Sequence, residues 1–274
     1  MKQSIGTILG RSSIRLLLIF MAALTLTPLI WLSAAAFKGP DDMFHYMFFS
    51  PRLTLYNFQE LFKLPFLRYM INSFFVTSTT VLVQLFFSSL AGFALAKYEF
   101  KGKKYVMILM LATLMIPGQV VMAPLYEQIY RLGLVDSYHG LIIPGAVSVF
   151  GIFLFRQAFF QVPDEMLQAA RVDGCSEFRI YWDIVMPVSR PIVGAFCLIS
   201  FMATWNSFLW PQIILHNSDR FTLPIALNQL VGLYQQQYGT LMAGTLLSIL
   251  PVVILFLLLQ KEFMAGLTAG AVKG

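Results

Sequence analysis

Six long stretches without a charged residue divide this chain, and they limit what it can fold into more than any other feature. They are residues 16–37, 69–96, 105–126, 137–155, 191–218 and 221–260. A helix needs about 20 apolar residues to cross the hydrocarbon core of a bilayer. Only 12% of the residues are charged, which is about half the fraction of a soluble domain. The sequence therefore predicts an all-α integral membrane protein.

The number and direction of the spans follow from the polar residues between them. The last stretch is polar around Asn228, so we place its span at residues 241–260. Six spans put both ends of the chain on one side. If the N-terminus is cytoplasmic, the inner segments hold thirteen Lys and Arg residues and the outer segments hold six. Because cytoplasmic flanks collect basic residues, the sequence predicts an N-in, C-in topology. The net charge of +6 is assigned to this bias and not to nucleic-acid binding.

The N-terminus has the features of a secretory signal: basic residues, an apolar run and the segment Ala34-Ala35-Ala36. Its apolar run, residues 16–37, is 22 residues long. Signal peptides have apolar regions of about 7–15 residues. We therefore predict that this run is an uncleaved first span.

Prolines and small residues indicate how the spans are shaped and packed. Each proline within a span removes a backbone hydrogen bond and favours a kink. Pro117-Gly118 with Pro124 predicts either a helix broken beside a pathway or an ordinary kink, and both interpretations stay open. Small residues indicate a surface on which helices pack closely. These are Ser88, Ser89, Ala91, Gly92 and Ala94.

Several kinds of functional group are missing from the sequence. No Asp, Glu, Lys or Arg lies in the middle of a predicted span, and the sequence contains no P-loop, HExxH or GxSxG motif. Ion-coupled carriers usually hold ionisable groups within the membrane. The two cysteines and three histidines are too scattered for a disulfide framework or a zinc pattern. Any uphill transport must therefore take its energy from a partner.

The segment 156–190 is the longest and most charged segment on the predicted cytoplasmic side, and its pattern indicates two short helices. Pro163 suits the first position of a helix, and Asp164 and Glu165 complement the positive end of the helix dipole. Gly174 can end this first helix in the left-handed conformation. Ser176 is a suitable N-cap for the second helix.

The second helix of this segment has one predicted apolar face. Phe178, Tyr181, Trp182 and Val185 occupy helical spacing, and Pro187 is expected to end the helix. Such a block can dock a partner or lie flat on lipid headgroups. Five acidic residues argue against an anionic membrane surface as its only partner. They are Asp164, Glu165, Asp173, Glu177 and Asp183.

A spaced motif runs through the same segment. It consists of Gln168-Ala169-Ala170, three residues, Gly174, nine residues and Ile184-Val185-Met186-Pro187. This pattern resembles the EAA loop of ABC-importer permeases, which reads Glu-Ala-Ala, three residues, Gly, nine residues and Ile-x-Leu-Pro. Three positions depart: Gln168 stands for Glu, Cys175 for Ala and Met186 for Leu. The missing charge at Gln168 puts in doubt any ion pair that the family makes there.

Other segments resemble the carbohydrate-uptake branch of this family, and the six-span, maltose-permease-like member of the pair in particular. They are Asn72-Ser73, Ala94 to Tyr98 with Gly102, Met115 to Pro117, Leu132 to Ser137, Trp205 to Pro211 and the tail from Gly266 to Gly274. The resemblance implies the type I ABC-importer permease fold. It implies three parts: residues 1–68 with the first span, a permease core at 69–262 that includes the coupling loop 156–190, and a cytoplasmic tail at 263–274.

The resemblance also implies partners. The chain would form half of a pore with a second homologous permease subunit. Two ABC ATPase subunits would bind ATP and Mg, and an extracytoplasmic sugar-binding protein would deliver the solute. This chain itself would hold no cofactor, catalytic residue or metal, bind no nucleic acid and not be an enzyme. It would be a multi-pass protein of a bacterial or archaeal cell (inner) membrane.

Three sets of site residues follow from the resemblance. The first couples to the ATPase: Gln168, Ala169, Ala170, Arg171, Asp173, Gly174, Phe178 and Pro187. The second consists of polar or aromatic groups at span depth, which suit a sugar or else pack between helices: Gln84, Gln119, Trp205 and Asn206. The third is expected to contact the binding protein: Gln235, Gln236, Gln237 and Tyr238.

Three alternative functions remain at this stage. The first is an ABC permease for another solute, such as an amino acid, phosphate or peptide. The second is a channel or ion-coupled carrier acting alone, which the docking segment and the missing intramembrane charges oppose. The third is a membrane enzyme with a metal bound by the carboxylates of the segment 156–190. Those carboxylates are explained by helix dipoles and solvated helix faces.

Overall fold

Helices make up the secondary structure of this chain in a computed structural model that describes residues 5–233 and 238–269. The α-helices are α1 Ile5–Ala36, α2 Tyr56–Lys63, α3 Phe66–Lys97, α4 Lys103–Thr113, α5 Met122–Arg131, α6 His139–Ile142, α7 Val149–Phe160, α8 Asp164–Val172, α9 Glu177–Arg179, α10 Met186–Val188, α11 Arg190–Trp205, α12 Leu209–Ile214, α13 Leu223–Leu233 and α14 Tyr238–Ala269. Short 3₁₀ turns occupy Pro40–Asp42, Gly118–Val121 and Ser218–Arg220, and a π-helix occupies Ile180–Val185.

Three described helices are long and apolar enough to cross a bilayer: Ser13–Ala36, Phe66–Lys97 and Tyr238–Gly266. Two bent helix pairs raise the number to as many as five when each pair is taken as one span. This confirms a helical, multi-pass membrane protein. The predicted span 137–155 corresponds to α6 and part of α7, and α7 is 12 residues long. The count of six spans and their orientation stay predictions.

The predicted span 105–126 is broken. Lys103–Thr113 and Gly118–Arg131 meet at an angle of 94°, with Pro117 at the N-cap of the 3₁₀ turn between them. Proline removes a backbone donor and disfavours helix at the residue before it. The helix is therefore broken at Pro117-Gly118, and its position beside a pathway stays a prediction. Pro28 and Pro251, in contrast, lie inside the long helices α1 and α14.

The chain divides into two compact units. The first comprises Met1–Phe66 and Leu227–Ile249. Its inner contacts surround Asn57, whose amide nitrogen donates to the carbonyl oxygens of Ala36 at 2.9 Å and Lys38 at 2.7 Å. These bonds join the end of α1 to α2. Residues 34–36 are buried, so the segment that resembled a signal-peptidase site lies inside the fold.

The second unit comprises Leu67–Ala226 and Leu250–Gly274. Close packing of α3 on α7 is visible at Gly92, where an added Cβ would lie 2.7 Å from Cβ of Phe155. Ser88 and Ser89 on the same helix are fully buried. The predicted packing surface is therefore confirmed at these three positions. Ala94 is exposed, so it does not belong to that surface.

Candidate functional site

The candidate site is the segment 156–190 in the second unit, and its first helix is α8. The helix begins at Asp164 and Pro163 is its N-cap, so the prediction that Pro163 opens the helix was wrong by one residue. Lys97, at the end of α3, donates to Oδ1 of Asp164 at 2.7 Å and to the carbonyl oxygen of Val162 at 2.5 Å. The hydrogen bond from Lys97 holds the pKa of Asp164 below its usual value.

The first helix ends as predicted at Gly174, which has a φ of +82°. The amide of Gly174 donates to the carbonyl of Arg171 at 3.0 Å, and the amide of Cys175 donates to the carbonyl of Ala170 at 2.9 Å. These two bonds form a Schellman motif, in which a left-handed residue satisfies the last carbonyls of a helix. Glycine suits this position because it has no Cβ to clash.

The second helix begins as predicted at Ser176, whose hydroxyl accepts a hydrogen bond from the amide of Arg179 at 3.3 Å. Its predicted apolar face was wrong. Tyr181 and Val185 are buried, but Phe178 and Trp182 are 57% and 53% exposed. The two exposed rings stack with their planes 9° apart.

The buried row of this helix is a different one. Ile180, Tyr181 and Val185 are each at most 1% exposed, and their backbone, Ile180–Val185, is a π-helix, whose hydrogen bonds join residues five apart instead of four. The row of Phe178 and Trp182 lies on the surface.

The end of the second helix also differs from the prediction. Pro187 was expected to close it, but the helix continues through Pro187 in α10, Met186–Val188. Pro187 stands one residue before the end of α10 at Val188. The direction changes after Val188, where Glu177–Val188 and Arg190–Trp205 meet at 82°.

A continuous apolar core joins both short helices to three long ones. Its members come from α3, α7, α8, the π-helix and α11, and they are buried together. They are Phe93, Phe155, Phe159, Val162, Leu167, Ala170, Ile180, Tyr181, Val185 and Phe196. Aromatic rings fill much of this core. The ring centroids of Phe155 and Phe196 lie 4.9 Å apart, and those of Phe93 and Tyr181 lie 5.5 Å apart. The segment is thus packed continuously against α3, α7 and α11.

Polar contacts add to this core at two points. The hydroxyls of Tyr181 and Ser89 lie 2.8 Å apart within it. At the surface, Arg171 donates to Glu177 from Nε at 2.7 Å and from Nη2 at 3.2 Å, and the hydroxyl of Tyr98 donates to the same carboxylate. The bonds from Arg171 and then Tyr98 hold the pKa of Glu177 below its usual value.

The outer surface of the segment carries most of the predicted coupling residues. Gln168, Ala169, Arg171 and Asp173 are exposed, whereas Ala170 is 7% exposed and belongs to the core. Sequence analysis missed Val172 and Trp182 as surface residues and Lys97 and Tyr98 as supports. The two supports stand in the Ala94–Tyr98 motif, which was the available signal. The site is thus a rigid, partly apolar surface that can dock a protein.

Comparison with known proteins gives the same assignment. The family model described as "Binding-protein-dependent transport system inner membrane component" matches residues 84–263. The chain belongs to this family. It is 39% identical over 261 residues to the arabinooligosaccharides transport system permease protein AraQ of Halalkalibacterium halodurans, covering 93% of this chain and 94% of AraQ.

Two solved structures share the fold. One is a bacterial ABC transporter involved in the import of the acidic polysaccharide alginate, with a TM-score of 0.82, 22% identity and coverage of 96% of this chain and 99% of the other. The second is a bacterial alginate ABC transporter in complex with alginate pentasaccharide-bound periplasmic protein, with a TM-score of 0.66, 14% identity and coverage of 94% and 96%. Members of the family are permease subunits, so this chain is a transport subunit and not an enzyme.

The four predicted pathway residues of the permease lie in different surroundings. Gln84 is half-buried on α3, and Gln119 is exposed at the break before α5. Trp205 is buried, stacks on Phe201 at 5.6 Å and borders a cavity of about 40 Å³. Asn206 is exposed, and its amide nitrogen donates to the carbonyl of Met202 at 2.8 Å. Their role in the pathway stays a prediction.

The predicted contacts with a binding protein fall at an edge of the described chain. Gln235, Gln236 and Gln237 lie outside the described residues. Tyr238 begins α14 and is 43% exposed. Its ring packs edge-to-face on Phe44 with centroids 5.5 Å apart.

Within residues 5–233 and 238–269, no three His, Cys, Asp or Glu side chains come together as a metal site. Asp164 and Glu177 are instead paired with Lys97 and Arg171. Asp164 and Glu177 thus help to hold the loop in shape.

Proposed function

We propose that this permease is one half of the translocation pathway of an ATP-driven saccharide importer. The single observation that carries the proposal is the segment 156–190, whose exposed surface is joined to α3, α7 and α11 by one apolar core. A partner that moves this surface moves three long helices with it. Similarity to a permease for arabinooligosaccharides and to an alginate importer favours a saccharide as the solute.

The proposed assembly contains a second homologous permease, two ABC ATPase subunits and an extracytoplasmic sugar-binding protein. ATP and Mg belong to the ATPase subunits. The ATPase docks on the surface that includes Gln168, Arg171, Asp173 and Phe178. When ATP draws the two ATPase subunits together, each docked loop is carried along and the helices rotate. A bound sugar shifts the balance of states only through its different affinity for them.

Six spans with both ends in the cytoplasm complete the proposal. The basic bias of thirteen to six supports that orientation, and it places the segment 156–190 on the ATPase side. The core of the permease comprises residues 69–262, after an N-terminal part at 1–68 and before a tail at 263–274. The membrane is the bacterial or archaeal inner membrane.

Reconstitution tests the proposed function. The chain is placed in vesicles alone, with its second permease and ATPase, and with a panel of loaded binding proteins. Uptake is expected only in the full assembly, and only with a saccharide-loaded binding protein. Uptake by the lone chain would exclude the half-pore. Uptake stimulated by an amino-acid- or phosphate-loaded binding protein would exclude a saccharide as the solute but leave the half-pore standing. The ATPase co-purifying with the parent chain but not with the Phe178→Asp, Trp182→Asp double variant would support docking on this loop.

A further inference from the structure

We propose that the segment of residues 38–55, here named the Phe44 loop, inserts its apolar side chains into the interfacial layer of the membrane leaflet at which α1 ends. The inserted side chains are those of Phe44, Met47 and Phe49. The surface acts as an anchor that holds the first span at a fixed depth. This inference does not depend on the transported solute or on the direction of the chain.

The first observation is exposure. The side chains of Phe44, Met47 and Phe49 are 81%, 77% and 65% exposed. Single exposed apolar residues are normal on any protein. Three such side chains within six residues of a short connection form a patch, and a patch of this kind marks a protein or membrane contact.

The second observation is the position of the loop along the membrane normal. Arg15 is the last charged residue before the end of α1 at Ala36. At 1.5 Å per residue, the helix between them covers about 31 Å, close to the thickness of a hydrocarbon core. If Arg15 lies at one edge of the core, the chain reaches the opposite edge where the Phe44 loop begins.

The start of α14 indicates the same position along the membrane normal. Tyr238 is the first residue of the candidate span Tyr238–Gly266, and its ring packs edge-to-face against Phe44. Tyrosine is enriched at membrane–water interfaces, where its ring lies at headgroup level. A loop packed against an interfacial tyrosine lies in the same layer.

The third observation is that hydrogen bonds inside the loop hold the apolar side chains outward. Lys38 as a residue is 1% exposed. Its ammonium group donates to the carbonyl oxygens of Tyr46 at 2.5 Å and Met47 at 3.4 Å. The hydroxyl of Ser50 donates to Asp42 at 2.5 Å. A buried ammonium is costly unless its donors are satisfied, so the loop is built around Lys38.

Two features favour lipid over a protein as the occupant. The helix that leads into the loop is itself exposed for contact with lipid, because the spanning window of α1 is only 6% buried in the fold. The charged residues Asp41, Asp42 and Arg52 line a cavity of about 710 Å³ within the loop, and Phe44, Met47 and Phe49 are not among its lining residues. A soluble partner that leaves after each cycle would also return three large apolar side chains to water, at an unfavourable free energy.

Tryptophan quenching in vesicles tests the proposal with the assembled transporter. Phe44→Trp and Phe49→Trp are compared with Arg52→Trp as the aqueous control and Leu24→Trp as the mid-membrane control, after the signal of the parent chain is subtracted. We expect the added fluorescence at positions 44 and 49 to be lost in lipid brominated close to the headgroup. Iodide in the water should quench these positions less than position 52.

Two results would overturn the proposal. One is iodide quenching at positions 44 and 49 equal to that at position 52. The other is protection that arises only after the binding protein is added, which would assign the patch to that protein. Sugar uptake by each variant confirms that the fluorescence comes from assembled transporter. If Phe44→Trp does not assemble, Met47→Trp carries the same comparison.

Discussion

The coupling loop and the segment from α4 to α5 both contain a sharp bend, but they are stabilised in different ways. The first bends by 82° between Glu177–Val188 and Arg190–Trp205, and the second by 94° between Lys103–Thr113 and Gly118–Arg131. Around the first bend, ten buried residues form one core. In contrast, neither α4 nor the 3₁₀ turn Gly118–Val121 contains a buried residue.

This difference shows which part of the site is complete within one chain. The coupling loop joins the fold through a core of buried residues and pairs Asp164 with Lys97 and Glu177 with Arg171 in the same unit, while Phe178 and Trp182 stay exposed. The segment from α4 to α5 leaves Met115 85% and Val120 68% exposed, so lipid or another chain must cover it. We therefore expect substitutions at buried positions of the loop to act on the stability of this chain, and substitutions on its exposed surface or at the second bend to act through the assembly.

The largest effect is expected from Ala170→Asp. Ala170 lies in the core, so the substitution buries a carboxylate and should reduce the free energy of unfolding of the loop by about 3 kcal/mol or more. Ala169→Asp is the matched control, because Ala169 is exposed and should tolerate the charge. Thermal unfolding in detergent and co-purification of the ATPase measure both. Equal unfolding temperatures for the two variants would mean that the loop is not packed as described.

The next effect is expected from Gly174. Its φ of +82° costs an L-residue about 1–2 kcal/mol, whereas an added Cβ would meet no atom of this chain within 4 Å. Gly174→Ala and Gly174→Asp should therefore lose similar stability and still insert in the membrane. We expect Gly174→Asp alone to abolish sugar uptake, because its bulk faces the docked ATPase. Normal uptake by Gly174→Asp would contradict the assignment of this surface.

A smaller effect is expected from Glu177→Gln and depends on pH. The pKa of Glu177 is lowered in the fold by Arg171 and Tyr98, so its contribution is present above the usual glutamate pKa and is lost as the pH falls through the lowered value. Because the pair is half exposed, it contributes at most about 1 kcal/mol. Protease resistance of the loop should fall toward acid pH in the parent more than in Glu177→Gln. If protease resistance fell with pH by the same amount in both proteins, the proposed link between the ionisation of Glu177 and the stability of the loop would be refuted.

The smallest effect is expected from Gly118→Ala at the second bend. Gly118 is not among the positive-φ glycines, and an added Cβ would meet nothing within 4 Å. Stability of the isolated chain should stay the same or rise by less than about 1 kcal/mol. Thermal unfolding of the isolated chain measures this stability. Sugar uptake by the full assembly is compared between Gly118→Ala and the parent chain as a second measurement. A large loss in the isolated chain would show that this bend, like the coupling loop, is stabilised from within.

Local signals in the sequence predicted the turns of the coupling loop well. Gly174 ends α8, Ser176 caps α9, and Asp164 lies in the first turn of α8. Each of these depends on groups within about four residues, so residue type and spacing are sufficient to predict them. The spaced motif predicted the family for the same reason, because its signal is carried along the chain.

Other residues could not be placed from the sequence. The apolar row Phe178, Tyr181, Trp182 and Val185 has regular α-helical spacing, but Phe178 and Trp182 lie on the surface. Lys38 is a charged residue between two helices, yet it is buried and donates to carbonyl groups of residues eight and nine positions away. The break at Pro117 was one of two open interpretations.

The sequence by itself determined that this protein spans a membrane, that it belongs to a permease family and where its docking loop turns. Charge-free runs and capping residues act locally, so their consequences can be predicted without knowing what lies opposite. Only the tertiary structure decided which side chains the loop presents and which it buries. That outcome depends on Phe93, Phe155 and Phe196, which come from helices far apart in the chain and meet the loop in one core. Packing of this kind depends on how side chains fit together in three dimensions, and the spacing of residues along the chain does not contain that information.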